Sequence, residues 1–241
     1  MNKHEFRVGI EVGGTFTDLV ASDGYQIKTA KVPSTPSKPD EGAMNAIRAA
    51  ELDISQIKEL VHGSTVATNA VLERKGGRVC LFVTKGTRDI LLLQRHDRRS
   101  IYDLHYKKPE PVVARHDTYE IKERISPDGS IVLAIDEDHA REQIKTALRD
   151  GRFDSAAICF LHSYTNSRHE RLLKDLIQQE FPSLPITCSC DVTREFREYE
   201  RASTTTLAAY VQPVIAGYIK RFSASLTKRG FKGRFSIMQS N

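Results

Sequence analysis

Alternating apolar and polar positions at the start of the chain predict an antiparallel sheet. Between Phe6 and Val12 every second residue is apolar, which places one face of a strand against a core. Residues 17–21 and 26–32 predict two further strands, separated by a Ser-Asp-Gly turn. We therefore expect an antiparallel β-meander that bends sharply at Gly13-Gly14.

Helical and strand patterns alternate after the meander, which predicts an α/β fold with a mixed sheet and flanking helices. Helices are indicated where apolar residues recur three and four positions apart, and buried strands where short apolar runs such as Val79–Val83 are uninterrupted. Residues 86–115 follow neither pattern and predict a loop-rich excursion. The other predicted elements are helices at 39–50, 65–74, 136–149, from 167 and on both sides of Pro213, and strands at 60–62, 118–125, 131–135, 156–161, 184–188 and 235–238.

Short motifs predict features of individual helices. Asp136 is placed to cap a helix, and Ser167-x-x-Glu170 has the spacing of a capping box, in which the two side chains bond each other's backbone N–H groups. Pro213 predicts a division of the last helical region, because proline has no N–H with which to continue the ladder. The charged residues at 199–201 predict pairs along a solvated helix surface.

The composition is that of a folded globular protein. The 241 residues are 39% hydrophobic and 28% charged with both signs interleaved, which argues against disorder and suits one large domain or two small ones. No apolar stretch reaches the roughly 18 residues of a membrane span. No apolar signal-peptide core follows Met1, so we expect a cytoplasmic protein.

The net charge of +5 does not by itself indicate a nucleic-acid partner. The clearest basic cluster, Arg95-His96-Asp97-Arg98-Arg99, lacks the base-stacking aromatic residues of a nucleic-acid surface. It is interpreted as a solvated loop, with contact to an anionic substrate or to a subunit as the alternatives. The cysteines are interpreted as buried thiols, because Cys188-Ser189-Cys190 lacks the C-x-x-C spacing of zinc and redox sites.

The segment Gly13-Gly14-Thr15-Phe16-Thr17-Asp18, between the first two strands, carries the candidate chemistry. Paired glycines let backbone N–H groups approach an anion, and the threonine hydroxyls add donors. Glu11 and Asp18 bracket the turn with carboxylates that can hold a hydrated Mg²⁺. Such a site suits a nucleoside triphosphate, although a tight hairpin turn explains the motif alone equally well. The spacing is neither that of a P-loop nor that of a dinucleotide fingerprint.

Several segments together resemble the hydantoinase/oxoprolinase family, which includes hydantoinase A, 5-oxoprolinase and the ATP-dependent acetone and acetophenone carboxylases. Ile10–Asp18 is similar to the family's opening phosphate loop. The similar segments that follow, in the family's order, are His62–Arg74, Thr84–Asp89, Leu161–Tyr164, Arg197–Arg201 and Ile237–Asn241. The resemblance covers essentially the whole chain.

The resemblance implies an actin-like ATPase (ribonuclease H-like) lobe of an enzyme that uses ATP to phosphorylate an amide or enolate oxygen. The substrate would be a small molecule (a hydantoin, lactam or ketone) that is activated for hydrolysis or carboxylation. The implied cofactors are ATP and Mg²⁺, or Mn²⁺ in its place. The implied partner is a hydantoinase B-like second subunit or domain. Whether the chain also forms a homo-oligomer stays open. Neither a nucleic acid nor a membrane is expected as a partner.

The same resemblance implies roles for individual residues. The cofactor-binding residues would be Gly13, Gly14, Thr15, Thr17 and Thr68, the metal-binding residues Glu11 and Asp18, and the catalytic residues Asp18, Thr65 and Asn69. The family usually has aspartate where this chain has Glu11. The additional methylene moves the carboxylate by more than roughly one ångström, enough to disturb the near-ideal octahedral geometry that Mg²⁺ demands. For His62 and His162 a role near the substrate stays open, and a hydrogen-bonded structural role agrees with their positions at least as well.

Along the sequence we predict the family's N-terminal domain at residues 1–187 and the beginning of a catalytic domain at 188–241. No second Gly-Gly-Thr loop follows the first, so the chain is expected to form an incomplete nucleotide cleft. An inactive lobe that acts as a binding or scaffold module is the alternative. A small, intact kinase-like ATPase is a third hypothesis.

Overall fold

The computed structural model describes residues 5–97 and 100–238. Arg98 and Arg99 of the basic cluster, and the last three residues of the family segment Ile237–Asn241, lie outside these described residues. In chain order the elements are β1 (Phe6–Val12), β2 (Phe16–Ser22), β3 (Ile27–Pro33), α1 (Pro39–Ala49), β4 (Ile57–Ser64), α2 (Val66–Leu72), β5 (Val79–Thr84), α3 (Ile90–Leu93), β6 (Thr118–Ile121), β7 (Arg124–Ile125), β8 (Ile131–Leu133), α4 (Glu137–Leu148), β9 (Ser155–Cys159), α5 (Arg168–Glu180), β10 (Ile186–Cys188), α6 (Ser189–Val192), α7 (Glu198–Lys228) and β11 (Arg234–Ile237).

The chain forms two compact units. The first unit comprises Met1–Lys75 and Val214–Asn241, and the second unit is Gly76–Pro213. Two stretches that are distant in sequence thus build the first unit together. The boundary predicted after residue 187 separates family regions along the sequence and stays a prediction, whereas the division in space falls at other positions.

The first unit is a mixed five-stranded sheet with the strand order β11-β4-β1-β2-β3. The predicted meander is confirmed, because β1, β2 and β3 pair antiparallel, and β4 and β11 are parallel to β1 on its other side. One face forms the core, where Val8 packs with Ile47 of α1 and Phe222 of α7. The opposite face carries the exposed residues Glu11 and Asp18, as the alternation along β1 and β2 requires.

The second unit contains a four-stranded parallel sheet with the order β10-β9-β5-β6. Strands β5 and β9 are buried throughout, which confirms the interpretation of their uninterrupted apolar runs. Residues 118–125, predicted as one strand, form two: β6 joins the parallel sheet and β7 pairs with β8. With helices α4 and α5 packed on the same core, the predicted α/β class is confirmed.

Pro213 does not divide the last helix, so that prediction is wrong. Helix α7 continues from Glu198 to Lys228. A proline removes the N–H that would bond the carbonyl four residues earlier. Here that carbonyl, of Ala209, accepts a hydrogen bond from Ser155 Oγ at 2.8 Å, and the next carbonyl, of Tyr210, accepts one from the Gly77 N–H at 2.8 Å. Tertiary donors therefore replace the missing helical bond.

The predicted capping box at the start of α5 is also wrong, although Asp136 does cap α4 by accepting the His139 N–H. Ser167 makes no capping bond with its side chain. Glu170 is fully buried and accepts hydrogen bonds from the backbone N–H groups of Phe160 and Cys190. Its carboxylate therefore satisfies core donors instead of the helix terminus.

Arg201 is fully buried in the second unit and does not lie on a solvated surface as predicted. It donates to the Phe160 carbonyl and to Ser163 Oγ. Ser163 Oγ lies 3.0 Å from Ser189 Oγ, which donates to Glu170. A chain of two hydroxyls thus connects a buried cation to a buried anion, which offsets part of the cost of burying each charge.

The four cysteines are buried and free, as predicted. Burial raises the pKa of the Cys159 thiol to about 12.

Within residues 5–97 and 100–238, no helix combines the length and apolarity needed to span a bilayer.

Candidate functional site

The turn between β1 and β2 is tight because its first residue is glycine. The Gly13 N–H donates to the Phe16 carbonyl at 3.0 Å, and the Thr15 carbonyl accepts the Ser34 N–H at 2.9 Å. A Cβ added to Gly13 would lie 3.0 Å from the Phe16 carbonyl oxygen, closer than side chains normally approach. A side chain at position 13 would therefore have to displace the Phe16 carbonyl by a few tenths of an ångström.

Helix α2 begins beside the same turn. The carbonyl of Val12 accepts the Thr65 N–H at 3.1 Å and the Thr65 hydroxyl at 3.4 Å. The side-chain amide of Asn69 donates to the Thr65 hydroxyl at 3.4 Å. A Cβ on Gly14 would meet the Asn69 amide nitrogen at 3.5 Å, so the glycine turn and the Asn69 side chain are immediate neighbours.

The two predicted metal-binding carboxylates stand side by side on the open face of the sheet. Glu11 lies directly opposite Asp18, Asp18 is opposite Lys31, and Gly63 of β4 lies on the other side of Glu11. The Lys31 ammonium is 3.1 Å from the Asp18 carboxylate. Glu11 extends over Gly63, since a Cβ there would lie 2.0 Å from Glu11 Oε2.

Two neighbouring carboxylates fit a magnesium ion that takes most of its ligands from outside the protein. Mg²⁺ prefers oxygen ligands and commonly uses one or two protein carboxylates. In the described part of the chain, no group of three or more His, Cys, Asp or Glu residues is arranged to hold a metal. An ion held by Glu11 and Asp18 would have to compete with the Lys31 ammonium for Asp18 and take its other ligands from outside these two carboxylates.

A cavity of about 440 Å³ lies beside the glycine turn, within the first unit. It is on the core side of the sheet, which is the side of Val12, and thus on the opposite side from Glu11 and Asp18. The turn, the Ser34–Ser37 loop, helix α2 and helix α7 surround it. The lining residues are Val12, Gly13, Gly14, Thr15, Ser34, Thr35, Pro36, Ser37, Pro39, Val66, Asn69, Ala70, Glu73, Lys75, Val214, Tyr218 and Arg221.

The structure brings some of the predicted site residues to this cavity and leaves others away from it. Those that line it are Gly13, Gly14, Thr15 and Asn69. Thr17 is buried beneath the turn with its hydroxyl 2.9 Å from Ser34 Oγ, Thr65 bonds Val12, and Thr68 is exposed on α2. The roles assigned to these residues stay predictions.

Tyr218 and His62 form a buried pair at the cavity wall. The Tyr218 hydroxyl lies 2.5 Å from Nε2 of His62, whose exposed fraction is 1%. Burial lowers the pKa of His62 to about 4, and the nearby backbone of Ile10 offsets part of that change. Burial also raises the pKa of Tyr218 above its ordinary value. Both groups are therefore neutral near neutral pH.

No sequence motif marks Tyr218, Arg221 or the hydroxyl residues of the 34–37 loop as site residues. Tyr218 belongs to a helical apolar stripe, which is the ordinary pattern of a core residue, and nothing local marks it as facing a cavity. His62 alone carried a signal, because it begins a family segment. The pairing of His62 with a residue 156 positions later depends on the tertiary fold.

Known proteins are similar to this chain in sequence and in fold. The caprolactamase subunit alpha of Pseudomonas jessenii is 31% identical over 252 residues, covering 100% of this chain and 36% of that protein. The crystal structure of ATP-dependent caprolactamase from Pseudomonas jessenii superimposes with a TM-score of 0.85 at 30% identity, over 97% of this chain and 35% of that one. A nucleotide-free structure of acetone carboxylase, from work on ATP-dependent acetone carboxylation, superimposes with a TM-score of 0.82 at 26% identity. The match covers 97% of this chain and 36% of that one.

The chain spans about a third of the length of the first curated relatives it matches. The family model described as the hydantoinase/oxoprolinase N-terminal region matches residues 7–181, which is most of the chain. The resemblance inferred from the motifs is thereby confirmed, and the chain belongs to the hydantoinase/oxoprolinase family.

Proposed function

We propose that this chain is the nucleotide-contacting part of an ATP-dependent enzyme that phosphorylates the oxygen of a cyclic amide or of a ketone enolate. One observation carries the proposal: the Gly13-Gly14 turn joins the two strands on which Glu11 and Asp18 stand directly opposite each other. Phosphate-binding backbone and magnesium-binding carboxylates are the two features that a nucleoside triphosphate needs. The ATP dependence named for the caprolactamase and acetone carboxylase structures supports the same function.

In this proposal the phosphates lie against Gly13–Thr15, and Glu11 and Asp18 hold Mg²⁺, or Mn²⁺, through water. Thr65 fixes the start of α2 through Val12, so that Asn69 faces the group being transferred. Thr17 and Thr68 are the remaining predicted contacts. The fold we propose is the actin-like ATPase lobe, which the opening meander and the mixed sheet of the first unit support.

The reaction we propose converts the substrate oxygen, which is a poor leaving group, into a phosphate ester, which is a good one. The amide or enolate oxygen attacks the γ-phosphorus, the bond from that phosphorus to ADP breaks, and the substrate carbon is left bonded to a phosphate ester oxygen. For an amide, water then attacks that carbon, the C–N bond breaks and phosphate is released. For an enol phosphate, the neighbouring carbon forms the bond to carbon dioxide while water cleaves the O–P bond and phosphate is released. We assign this second step to a hydantoinase B-like subunit or domain, in keeping with the subunit designation of the caprolactamase relative.

The test is a calorimetric titration with ATP, with and without Mg²⁺, on the wild type and on Gly14→Val. A Cβ at residue 14 has ordinary clearance from Asn69, so the fold is kept while the branched side chain occupies the phosphate space. We expect at least about a tenfold loss of affinity, or about 1.4 kcal/mol. The matched control is Gly9→Val on the preceding strand β1, where a Cβ has 4.0 Å of clearance. Equal affinity of both variants and the wild type would refute the phosphate-loop assignment.

A second variant tests the metal separately from the phosphates. Gly63→Ala places a methyl group 2.0 Å from the present position of Glu11 Oε2, so the carboxylate must move away. We expect weaker dependence of ATP binding on Mg²⁺, with binding in the absence of Mg²⁺ unchanged. If the Mg²⁺ dependence of Gly63→Ala matches that of the wild type, Glu11 does not serve the ion.

A further inference from the structure

The loop that follows β5 in the second unit has a fixed shape. It contains the family segment Thr84–Asp89, which the proposed function leaves without a role. Thr84 is fully buried and its hydroxyl donates to the buried Glu123 carboxylate. Gly86 has a left-handed backbone, with φ of +94°, and its N–H donates to the Glu120 carboxylate at 2.7 Å. These hydrogen bonds hold the loop in place, so the side chains that it carries start from defined positions.

Two cations of this loop face a cavity of about 320 Å³ within the second unit. The loop contributes Lys85 and Arg88 to the lining, β6 contributes Glu120, and α4 contributes His139 and Gln143. The volume is at the lower end of the range of ligand-binding cavities, roughly 300–1,000 Å³. The cavity therefore suits a small molecule.

The positive charges of this cavity exceed its negative charges. In the part of the chain that the structure describes, no carboxylate forms an ion pair with Lys85 or Arg88. Arg88 Nε donates to the backbone carbonyl of Arg115 at 3.2 Å, and the neighbouring Asp89 carboxylate is held by the Arg115 guanidinium at 2.5 Å. Two cations against the single carboxylate of Glu120 give the lining a net charge of +1 when His139 is neutral.

The cavity beside the glycine turn of the first unit differs in this respect. There the Arg221 guanidinium lies 3.3 Å from the Asp40 carboxylate, and the Lys75 ammonium lies 2.7 Å from the Glu73 carboxylate. An anion that entered that cavity would have to compete with both carboxylates. The two cations of the second unit's cavity have no such competitor among the described residues.

His139 is a second, independent indication of a ligand. Its Nδ1 is buried and has no hydrogen-bond partner among residues 5–97 and 100–238. Only its backbone N–H is used within the fold, because it donates to the Asp136 side chain at the start of α4. Buried polar atoms almost always have a partner, so the imidazole retains hydrogen-bonding capacity in the wall of the cavity.

We propose that the second unit binds a small oxyanion, the phosphate or carboxylate group of a small molecule, in the cavity formed by the 84–89 loop, β6 and α4. Lys85 and Arg88 supply the charge, and a guanidinium can bond two oxygens of either group at once. Glu120 holds the loop through Gly86, and its negative charge limits the affinity. The inference concerns the second unit alone and does not depend on ATP binding at the glycine turn.

The experiment is an NMR titration of the ¹⁵N-labelled chain with sodium phosphate and, separately, with sodium acetate. Sodium chloride keeps the ionic strength constant. The amide signals of Gly86 and His139 report on this cavity, and those of Gly13 and Gly14 report on the glycine turn, so the two proposals are measured separately. We expect saturable shifts at Gly86 and His139, with a dissociation constant of about 1 mM or lower for the better anion, which identifies the group that is bound. No saturable shift at Gly86 with either anion would overturn the inference.

Two variants should change the affinity in opposite directions. Lys85→Gln should weaken binding of the better anion at least about fivefold, because it removes one of the two unpaired charges. Lys107→Gln is the matched control, since it removes the same charge at an exposed lysine of the second unit that does not line the cavity. Glu120→Gln keeps an oxygen for the Gly86 N–H but removes the negative charge, so it should tighten binding about fivefold.

The comparison of these variants decides between a site and a general effect of charge. Equal losses in Lys85→Gln and Lys107→Gln would show that the anion responds only to the net charge of the chain, and the inference would fail. Weaker binding in a folded Glu120→Gln variant would contradict it as well. A loss confined to Lys85→Gln, together with a gain in Glu120→Gln, would support the site.

Discussion

Lowering the pH from about 7 to about 4.5 should destabilise the first unit through His62. The histidine is buried and neutral in the folded state, with a pKa of about 4, whereas an unfolded histidine has a pKa of about 6.5. Because the folded pKa is the lower one, the stabilisation is fully present above the unfolded pKa. It is lost as the pH falls from about 6.5 towards about 4, where the unfolded state binds the additional proton.

The size of the effect follows from the pKa difference. A difference of about 2.5 units corresponds to about 3 kcal/mol when complete, and about 2 kcal/mol of it is lost by about pH 4.5. This is a large fraction of the stability of an ordinary domain. Protonation would make Nε2 a donor, so the Tyr218 hydroxyl could then only accept a hydrogen bond from it.

The assay is urea unfolding followed by far-ultraviolet circular dichroism at a series of pH values. His62→Gln keeps a polar group but cannot titrate, so it should lose about 2 kcal/mol less than the wild type over this range. His105→Gln, at an exposed histidine, controls for the general effect of replacing an imidazole. The reasoning fails if the wild type and His62→Gln lose equal stability between about pH 7 and about pH 4.5.

Further predictions concern the second unit. Ser155→Ala should cost about 1–3 kcal/mol in urea unfolding, because the Ala209 carbonyl loses its donor. The cost should shrink in a Pro213→Ala background, where residue 213 regains an N–H; a double-mutant cycle without coupling would contradict this. Arg201→Met should lower the free energy of unfolding by about 3–5 kcal/mol, because it leaves the Glu170 charge buried without the cation to which two hydroxyls connect it. A loss below about 1 kcal/mol would argue that this connection does not stabilise the fold. The four buried thiols should resist a disulfide reagent in the folded protein and react in urea, and rapid reaction without urea would show that the thiols are accessible.

Local features of the sequence predicted the parts of this protein that depend on neighbouring residues. Alternating apolar positions identified β1 to β3, uninterrupted apolar runs identified β5 and β9, and Asp136 marked the start of α4. The glycines at 13 and 14 marked the turn that contributes to the cavity wall. These predictions succeeded because strand periodicity, capping and turn geometry are set within a few residues.

Tertiary structure alone decided the features that depend on distant partners. Pro213 stays inside a helix because Ser155 and Gly77 supply replacement donors, and Glu170 turns away from its helix terminus because core N–H groups need its carboxylate. The same holds for the cavity, whose wall combines the glycine turn with Tyr218. The physical reason is that a buried polar group must find a partner wherever the fold brings one, and no local pattern records which distant residue that will be.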